Sequence, residues 1–422
     1  MKYEPYKFII SLFFIVILVA SIILWLPITH LPGVELSYID SLFTTTSALC
    51  VTGLNTIDFV NTFNIFGLVI IALLIQLGGL GIVCTAIIVF LAIGKKIGLK
   101  HRILIKNSFN LNTMKGLVRF ILSVFKITLL IEGISAIILT IYFMKDYSFL
   151  KSLGLASFHS ISAFNNAGFD ILSKYDLFDG FAKVITMILI VLGGIGFVVM
   201  SDIVTKKFKF KNFALQTKIV LVSTISLIVI GMLLYFLTAN LSLFDSLFLS
   251  ISTRTAGFSY FDLSKINGPG YLLSILLMYI GASPSSTGGG IKTVTFFVLI
   301  LAFYSICRKR DYEIYKRSIS KEIVNECLVI LLASIIVIFV ATFLISCFEP
   351  LMGIREIFFE TVSAYATVGL TLGITANLST LSKLVICVVM FIGRVGILTL
   401  LSVWLTESQK NVKYPEENII VG

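Results

Sequence analysis

The sequence predicts an all-α integral membrane protein built from four repeats, each with a spanning helix, a re-entrant pore helix and a second spanning helix. Three observations lead to this fold class. Hydrophobic residues make up 58% of the 422 residues and charged residues only 13%, which is too apolar for a soluble protein of this size. Long apolar runs recur along the chain, and two glycine motifs recur four times at one spacing. We therefore expect eight spanning helices and four pore helices around one ion pore with pseudo-fourfold symmetry.

The spanning helices are predicted from the apolar runs, because a bilayer core about 30 Å thick needs about 20 apolar residues per helix. An eighth span, 270–307, is interrupted by the polar stretch GASPSSTGGGIKT. No small-residue cleavage site follows the first run, so we interpret it as a retained helix and not a signal peptide. The uninterrupted runs are 8–27, 64–93, 118–143, 184–201, 219–238, 326–347 and 384–405.

The charge pattern predicts the orientation of these helices. Segments 94–119, 206–218 and 302–325 hold 18 of the 33 Lys and Arg residues, whereas the loops between them are mostly acidic. By the positive-inside rule, both termini and the basic segments lie in the cytoplasm. The net charge of +11 therefore reflects topology, and we predict no nucleic-acid partner. Two further roles stay open for the basic segments, a docking surface for a cytosolic protein or contact with anionic membrane lipids.

The internal repeat rests on two motifs. CVTGLN, NNAGFD, RTAGFS and ATVGLT each contain one glycine, and a second glycine motif follows 24 or 25 residues later. The spacing divides the chain into repeats at 1–100, 101–210, 211–312 and 313–422, the third with a broken second helix and the fourth with a short cytoplasmic tail. The paired glycines are Gly53 with Gly78, Gly168 with Gly193, Gly257 with Gly281, and Gly369 with Gly393.

The segment before each first glycine is about 15 residues long, which is too short to span a bilayer. We interpret these hydroxyl-rich segments as re-entrant pore helices, each followed by an extended loop. Non-helical backbone is tolerated at membrane depth only where protein buries it or water reaches it. Four such loops would form a ring of carbonyl oxygens that replaces the hydration shell of a potassium-sized cation. The C-terminal ends of the pore helices would also favour a cation.

With these features the chain resembles the Trk/Ktr/HKT superfamily of potassium transporters, over about residues 7–407. The resemblance rests on the four repeats, the single filter glycines, STRTAGFS in the third filter and the broken helix of the third repeat. The chain is most similar to the membrane subunit (KtrB type) of bacterial Ktr systems. The resemblance implies gated K+ uptake across a bacterial plasma membrane, with glycine at all four filter positions going with K+ selectivity. It also implies a homodimer and a cytosolic ring of nucleotide-binding regulatory subunits (KtrA type).

The resemblance also implies which residues line the filter. K+ is then the only metal, and no organic cofactor is expected. The residues leave open whether Na+ is co-transported or regulatory, and the alternative function is an uncoupled, weakly selective monovalent cation channel. The implied filter residues are Val51, Thr52, Gly53, Asn166, Ala167, Gly168, Thr255, Ala256, Gly257, Thr367, Val368 and Gly369.

The polar stretch of the third repeat predicts an intramembrane loop. It is not a nucleotide P-loop, because Ile291 separates its glycines from Lys292 and apolar helix flanks both sides. Ten small or polar residues are too many for a helix kink. Half-helices at 270–280 and 294–307 would leave the loop near mid-depth, facing water. In the resembling family such a loop is the gate, which here implies Ser283, Ser285, Ser286, Thr287, Gly288, Gly289, Gly290, Lys292 and, from repeat 4, Arg394.

Arg394 occupies, in repeat 4, the position of Gly79 and Gly194 in repeats 1 and 2. An arginine at mid-membrane is costly unless it meets water or a partner. Two roles stay open for it. It is either a cationic barrier below the filter or a strut tied to the loop carbonyls or to Glu360.

Two further ionisable residues fall within apolar sequence. We expect Arg254, inside the third filter segment, to point behind the filter and brace it. Glu132 is either a functional group or the partner of Lys126 on the same helix face. A membrane-embedded enzyme with a serine nucleophile at 283 or 285 would lack a His or Asp partner on the flanking half-helices, so we predict that the protein is not an enzyme.

Overall fold

Each repeat opens with one long apolar helix. The computed structural model describes residues 5–93, 97–108 and 116–404; both termini, predicted to be cytoplasmic, and parts of the basic segment 94–119 lie outside these ranges. The four opening helices are long and apolar enough to cross a membrane, as their sequences predict. They are Pro5–Trp25, Leu117–Phe143, Leu215–Thr238 and Lys321–Phe348.

The opening helix of each repeat is followed by a short helix that ends three to five residues before a filter glycine. At 10 to 16 residues, these helices are too short to cross a bilayer. Two of them begin with a serine cap, since Ser37 and Ser242 accept hydrogen bonds from the backbone N–H groups of Asp40 and Asp245. The four helices are Tyr38–Cys50, Phe149–Phe164, Leu243–Ser252 and Ile354–Ala366.

The second helix of each repeat is broken, and here the prediction of continuous spans at 64–93, 184–201 and 384–405 is wrong. In repeat 1 the two halves meet at 103°, and in repeat 2 at 90°. The halves are Ile65–Leu80 and Ile82–Ala92 in repeat 1, Gly180–Ile195 and Phe197–Thr205 in repeat 2, and Thr380–Val395 and Ile397–Trp404 in repeat 4.

A single glycine makes each of these three breaks. Gly81, Gly196 and Gly396 have φ values of 84°, 96° and 86°, in a region that side-chain-bearing residues rarely adopt. Each is the last glycine of its motif, LGGLG, LGGIG or IGRVG. The apolar residues on both sides keep the hydropathy high, which is why the apolar runs alone conceal the breaks.

The third repeat breaks over a longer distance, as the polar stretch predicts. Its half-helices are Gly268–Tyr279 and Thr293–Cys307. The intervening loop is closed at its base by a parallel bridge between Ile280 and Ile291. The Gly281 N–H donates to the Ile291 carbonyl at 2.8 Å. The ends of the loop are thereby held together, and its polar centre projects as a separate unit.

The remaining elements are short connections. A ten-residue helix, Leu99–Ser108, precedes the opening helix of repeat 2, and a one-turn helix, Phe59–Thr62, follows the first filter segment. Strands Glu313–Ile314 and Arg317–Ser318 form an antiparallel hairpin before the opening helix of repeat 4. Single 3-10 turns lie at Pro27–Thr29, Ser173–Tyr175, Phe210–Asn212, Leu263–Lys265 and Thr375–Asn377.

The repeats pack as two halves that meet at the filter segments. One hydrophobic core is formed mainly by repeats 1 and 2, and the other mainly by repeats 3 and 4. Across the border of repeats 4 and 1, Lys383 and Asp40 form an ion pair of 2.7 Å whose side chains are 12% and 16% exposed. The outer faces of the opening helices remain apolar and exposed, as for Ile225 and Phe339, which suits contact with lipid.

Candidate ion pathway

The four filter glycines form a closed ring. Each filter glycine lies against the backbone carbonyl of the residue just before the filter glycine of the next repeat. The two are so close that a side chain on the glycine would collide with that carbonyl. The last glycine meets the first repeat, so the ring closes on itself. A methyl group placed on Gly53 would lie 2.5 Å from the Ala167 oxygen, on Gly168 2.7 Å from Ala256, on Gly257 2.0 Å from Val368, and on Gly369 2.1 Å from Thr52.

The backbone conformation also repeats around the ring. The residue two positions before each glycine has a positive φ, namely 58° at Val51, 59° at Asn166, 126° at Thr255 and 50° at Thr367. Each filter glycine is again positive, at 70° to 94°. For Val51 and Thr367 this left-handed conformation costs roughly 1–2 kcal/mol each, so the surrounding structure must hold it in place. The sequence did not reveal this strain.

Serine side chains anchor two of the four segments. The Gly53 N–H donates to Ser47 Oγ at 3.0 Å, and the Gly369 N–H donates to Ser363 Oγ at 3.1 Å. Each serine lies six residues before its glycine, and this recurrence is the sequence signal that could have identified it. The third segment differs, since the Ser252 hydroxyl instead donates to the Phe258 carbonyl at 2.5 Å.

The second glycine motif packs against the end of the pore helix of its own repeat. A methyl group on Gly78, Gly193 or Gly393 would lie within 2.0 Å of the carbonyl oxygen four residues before the filter glycine. This contact explains the nearly constant spacing of the two motifs, 25, 25 and 24 residues, in repeats 1, 2 and 4. In repeat 3 the corresponding Gly281 lies instead against the Gly289 carbonyl of its own loop, where a methyl group would be 2.3 Å away.

The loop of repeat 3 lies against the third and fourth filter segments and against the second helix of repeat 2. Its Ser283 N–H donates to the Gly194 carbonyl at 3.1 Å. The Gly289 N–H donates to Thr367 Oγ1, in the fourth filter segment, at 2.9 Å. A methyl group on Gly288 would lie 2.6 Å from Thr255 Oγ1. Glycine at this position therefore allows the loop backbone to approach the filter closely.

Two cations lie at the loop. Lys292 Nζ donates to the Gly288 carbonyl at 2.6 Å. The Arg394 guanidinium donates to the carbonyls of Thr287 and Gly78. Arg394 thus joins the loop to the second helix of repeat 1. The sequence offered loop carbonyls or Glu360 as partners of Arg394. The structure shows the contact with a loop carbonyl, whereas the Glu360 carboxylate accepts a hydrogen bond from Thr375 Oγ1.

A cavity of about 280 Å³ lies beside the loop. It is lined by the loop, by Arg394 and by residues at the break of repeat 1, including Gly79 and Cys84. Within the described part of the chain, Ser286 Oγ, on its wall, is buried without a hydrogen-bond partner. The loop and Arg394 therefore border one common space near the glycine ring.

Glu132 belongs to a polar cluster behind the second filter segment. Its carboxylate accepts hydrogen bonds from Gln76 Nε2 at 3.1 Å and from Asn165 Nδ2 at 2.9 Å. The proposed pairing with Lys126 is not found among the described contacts. Reasoning along one helix face missed this cluster, because Gln76 and Asn165 come from two other elements.

Comparisons with known proteins agree with this architecture. A family model for TrkH, described as a cation transport protein, matches residues 14–414. The chain is 36% identical to the Ktr system potassium uptake protein B of Bacillus subtilis, over 100% of this chain and 97% of the relative. It is 35% identical to the potassium/sodium uptake protein NtpJ of Enterococcus hirae, over 100% and 98%.

The fold is also that of a solved transporter. The crystal structure of the potassium transporter TrkH from Vibrio parahaemolyticus matches with a TM-score of 0.76 at 18% identity, over 96% of this chain and 86% of that one. At that identity the match concerns the fold. The family match makes this protein a transporter and not an enzyme, and the fold match makes it an all-α membrane protein. The chain belongs to the TrkH family of cation transport proteins.

Proposed function

We propose that this protein is the membrane subunit of a bacterial potassium-uptake system and passes K+ through the ring of filter glycines. The closed ring of Gly53, Gly168, Gly257 and Gly369 is the observation that carries the proposal. Backbone carbonyls can replace the hydration shell of K+. Relatives that cover the whole chain are described as potassium uptake proteins, which supports K+ as the transported ion.

The gate, in this proposal, is the loop of repeat 3 together with Arg394. Opening requires the loop to leave the filter, which breaks the hydrogen bond from Gly289 to Thr367 and the contact of Arg394 with Thr287. Hydrogen bonds from a charged group contribute about 1.5–3 kcal/mol. The closed position is therefore stabilised enough to limit flux and weakly enough to be reversed by a regulator.

Regulation is proposed to come from cytosolic subunits. Two relatives are described as components of a Ktr system, which supports a partner protein. We assign it the basic segments 95–119, 206–218 and 308–321 as its docking surface, on the cytoplasmic side, and we take the functional unit to be a homodimer. A ring of nucleotide-binding subunits would gate by binding the open and closed loop positions with different affinity.

Substitution of the filter glycines tests the proposal. Gly53→Ser or Gly168→Ser should lower K+ over Na+ discrimination, because the added Cβ would lie 2.5 or 2.7 Å from a ring carbonyl. Gly133→Ser is the matched control, since a Cβ there meets nothing within 4 Å. The measurement is growth of a potassium-uptake-deficient strain on low K+, followed by K+ and Na+ uptake in proteoliposomes.

Two outcomes would count against the proposal. Unchanged ion ratios for both filter variants would remove the ring from the selectivity mechanism. A wild-type protein that passes K+ and Na+ equally well would favour the alternative, a weakly selective monovalent cation channel. NtpJ is described as a potassium/sodium uptake protein, so sodium is the competing ion to measure.

A further inference from the structure

A buried arginine lies behind the third filter segment without a matching acceptor. Arg254 is 7% exposed, and within the described residues its Nε–H group is buried without a hydrogen-bond partner. It lines a small cavity of about 20 Å³. Thr224 lines the same cavity, is 6% exposed, and also has an unpartnered hydroxyl. Two buried side chains with unpartnered polar atoms therefore line the same cavity.

The second repeat supplies a matched comparison. Asn165 and Arg254 each lie three residues before their filter glycine. Each pore helix also donates a serine hydroxyl to its opening helix, Ser160 Oγ to the Glu132 carbonyl and Ser250 Oγ to the Ile228 carbonyl, both at 2.9 Å. The two serines lie eight and seven residues before their filter glycines. Ile228 therefore takes the place of Glu132.

The acceptors of the second repeat are replaced by apolar residues in the third. Counted from the second glycine motif, Val191 takes the place of Gln76. Asn165 donates to the side chains of both Gln76 and Glu132 at 2.9 Å. Both counterparts, Val191 and Ile228, line the cavity beside Arg254. The third repeat thus keeps a donor at this place and has lost both acceptors.

The missing partner must also carry charge. None of the residues that line the cavity is acidic, and a guanidinium stays protonated at any physiological pH. A buried charge without a counter-charge is strongly unfavourable. The C-terminal end of the pore helix at Ser252 supplies only a fraction of a negative charge. Water would satisfy the donors but not the charge, whereas a small anion satisfies both.

We propose that this cavity binds one small monovalent anion, chloride in the cell, between Arg254 and Thr224. The cavity exceeds the roughly 10–15 Å³ that one water needs, so a single atomic ion suits it better than a polyatomic one. The bound ion would offset the arginine charge from behind, on the side of the third filter segment away from the ring. This proposal depends on the fold and not on which cation is transported.

Thermal unfolding of the purified full-length protein tests the site. The unfolding midpoint is measured in sodium chloride and in sodium gluconate, at equal ionic strength and equal K+. A ligand that binds the folded state raises the midpoint with its concentration. We expect such a rise with chloride for the wild-type protein and for the control Thr238→Val, whose exposed hydroxyl lies on the helix of Thr224 but outside the cavity.

Three variants locate the effect. Arg254→Gln and Thr224→Val should weaken or abolish the rise with chloride. Ile228→Glu copies the second repeat and supplies an internal carboxylate, so it should abolish the chloride response while keeping a midpoint in gluconate at least as high as that of the wild type. If Arg254→Gln does not fold, the chloride responses of Thr224→Val and Ile228→Glu still test the proposed site.

Bromide gives a direct view of the same site. Crystals grown in bromide should show an anomalous peak between Arg254 and Thr224 in the wild-type protein and none in Ile228→Glu. Equal midpoints in chloride and gluconate, a chloride response that survives Ile228→Glu, or a bromide-free cavity would each overturn the proposal and leave Arg254 solvated by water.

Discussion

The second helices of repeats 2 and 3 both carry the second glycine motif, but they break in different ways. In repeat 2, Gly196 alone turns the chain by 90°. In repeat 3 the helix stops at Tyr279 and resumes at Thr293. Gly193 still packs against its own pore helix, whereas Gly281 packs against its own loop. A single glycine bends a helix, but only the longer break frees backbone to fill the space near the ring.

The longer break also links the loop with all three other repeats, with two of them directly and with the third through Arg394. It reaches repeat 2 through Gly194, repeat 4 through Thr367, and, by way of Arg394, the Gly78 carbonyl of repeat 1. The loop is therefore connected to every other repeat around the ring. The comparison teaches that the repeat with the longest break is also the one whose loop is linked to every other repeat, which is what the proposed gate requires.

The largest effect on stability is expected where a glycine of the second motif packs against the backbone of a pore helix. Gly193→Ala would place a Cβ 1.8 Å from the Phe164 carbonyl of a pore helix, and we expect it to cost about 3 kcal/mol of stability or to prevent folding. Gly281→Ala meets the Gly289 carbonyl at 2.3 Å, but that carbonyl belongs to the loop that moves in the proposed gate, so we expect a smaller loss. Thermal unfolding of both variants checks the difference, and an equal loss for the two would contradict it.

A functional effect of intermediate size is expected at Arg394. Arg394→Ala removes the contacts with Thr287 and Gly78 and should destabilise the closed loop by about 1.5–3 kcal/mol. That corresponds to roughly tenfold or more in the open population and thus to higher K+ flux. Arg394→Lys, which keeps the charge, should have a smaller effect. Reduced flux with normal folding would show that Arg394 serves the open state instead.

The smallest effect is expected at the border of repeats 4 and 1. Asp40→Asn weakens the ion pair with Lys383, whose groups are 16% and 12% exposed, and should lower stability by about 1 kcal/mol. Asp262→Asn is the matched control, because its pair with Lys265 is 52% and 82% exposed and contributes little. Denaturation in detergent measures both. A larger loss at Asp262 would contradict this ranking.

Much of the fold could be predicted from the sequence because the glycines are periodic. A spacing of 24 or 25 residues between the two glycines recurs in every repeat, and in repeats 1, 2 and 4 the structure shows why, since the second glycine packs against the pore-helix carbonyl four residues before the filter glycine. The polar loop of repeat 3 was predictable for a similar reason, because polar backbone at membrane depth needs a specific environment. The half-helix bounds differ from the prediction by no more than two residues.

The features that could not be predicted depend on backbone angles or on contacts between elements that are distant in sequence. The breaks at Gly81, Gly196 and Gly396 leave the hydropathy unchanged, so only their φ values reveal them. Glu132 finds its partners on two other elements, which the pattern of a single helix cannot show. Repeat alignment located Arg394 at a glycine position of the second motif, but its partner carbonyls could be identified only in the folded loop.

The most direct test of the gated pathway is K+ uptake by a protein that lacks residues 286–290, with Na+ as the competing ion. The deletion removes the loop centre and leaves the ring of Gly53, Gly168, Gly257 and Gly369 in place. In proteoliposomes we expect K+ flux above that of the wild type with unchanged K+ over Na+ selectivity, because barrier and filter are separate. Wild-type flux from a properly inserted deletion protein, or flux that rises only with loss of selectivity, would contradict this division of roles.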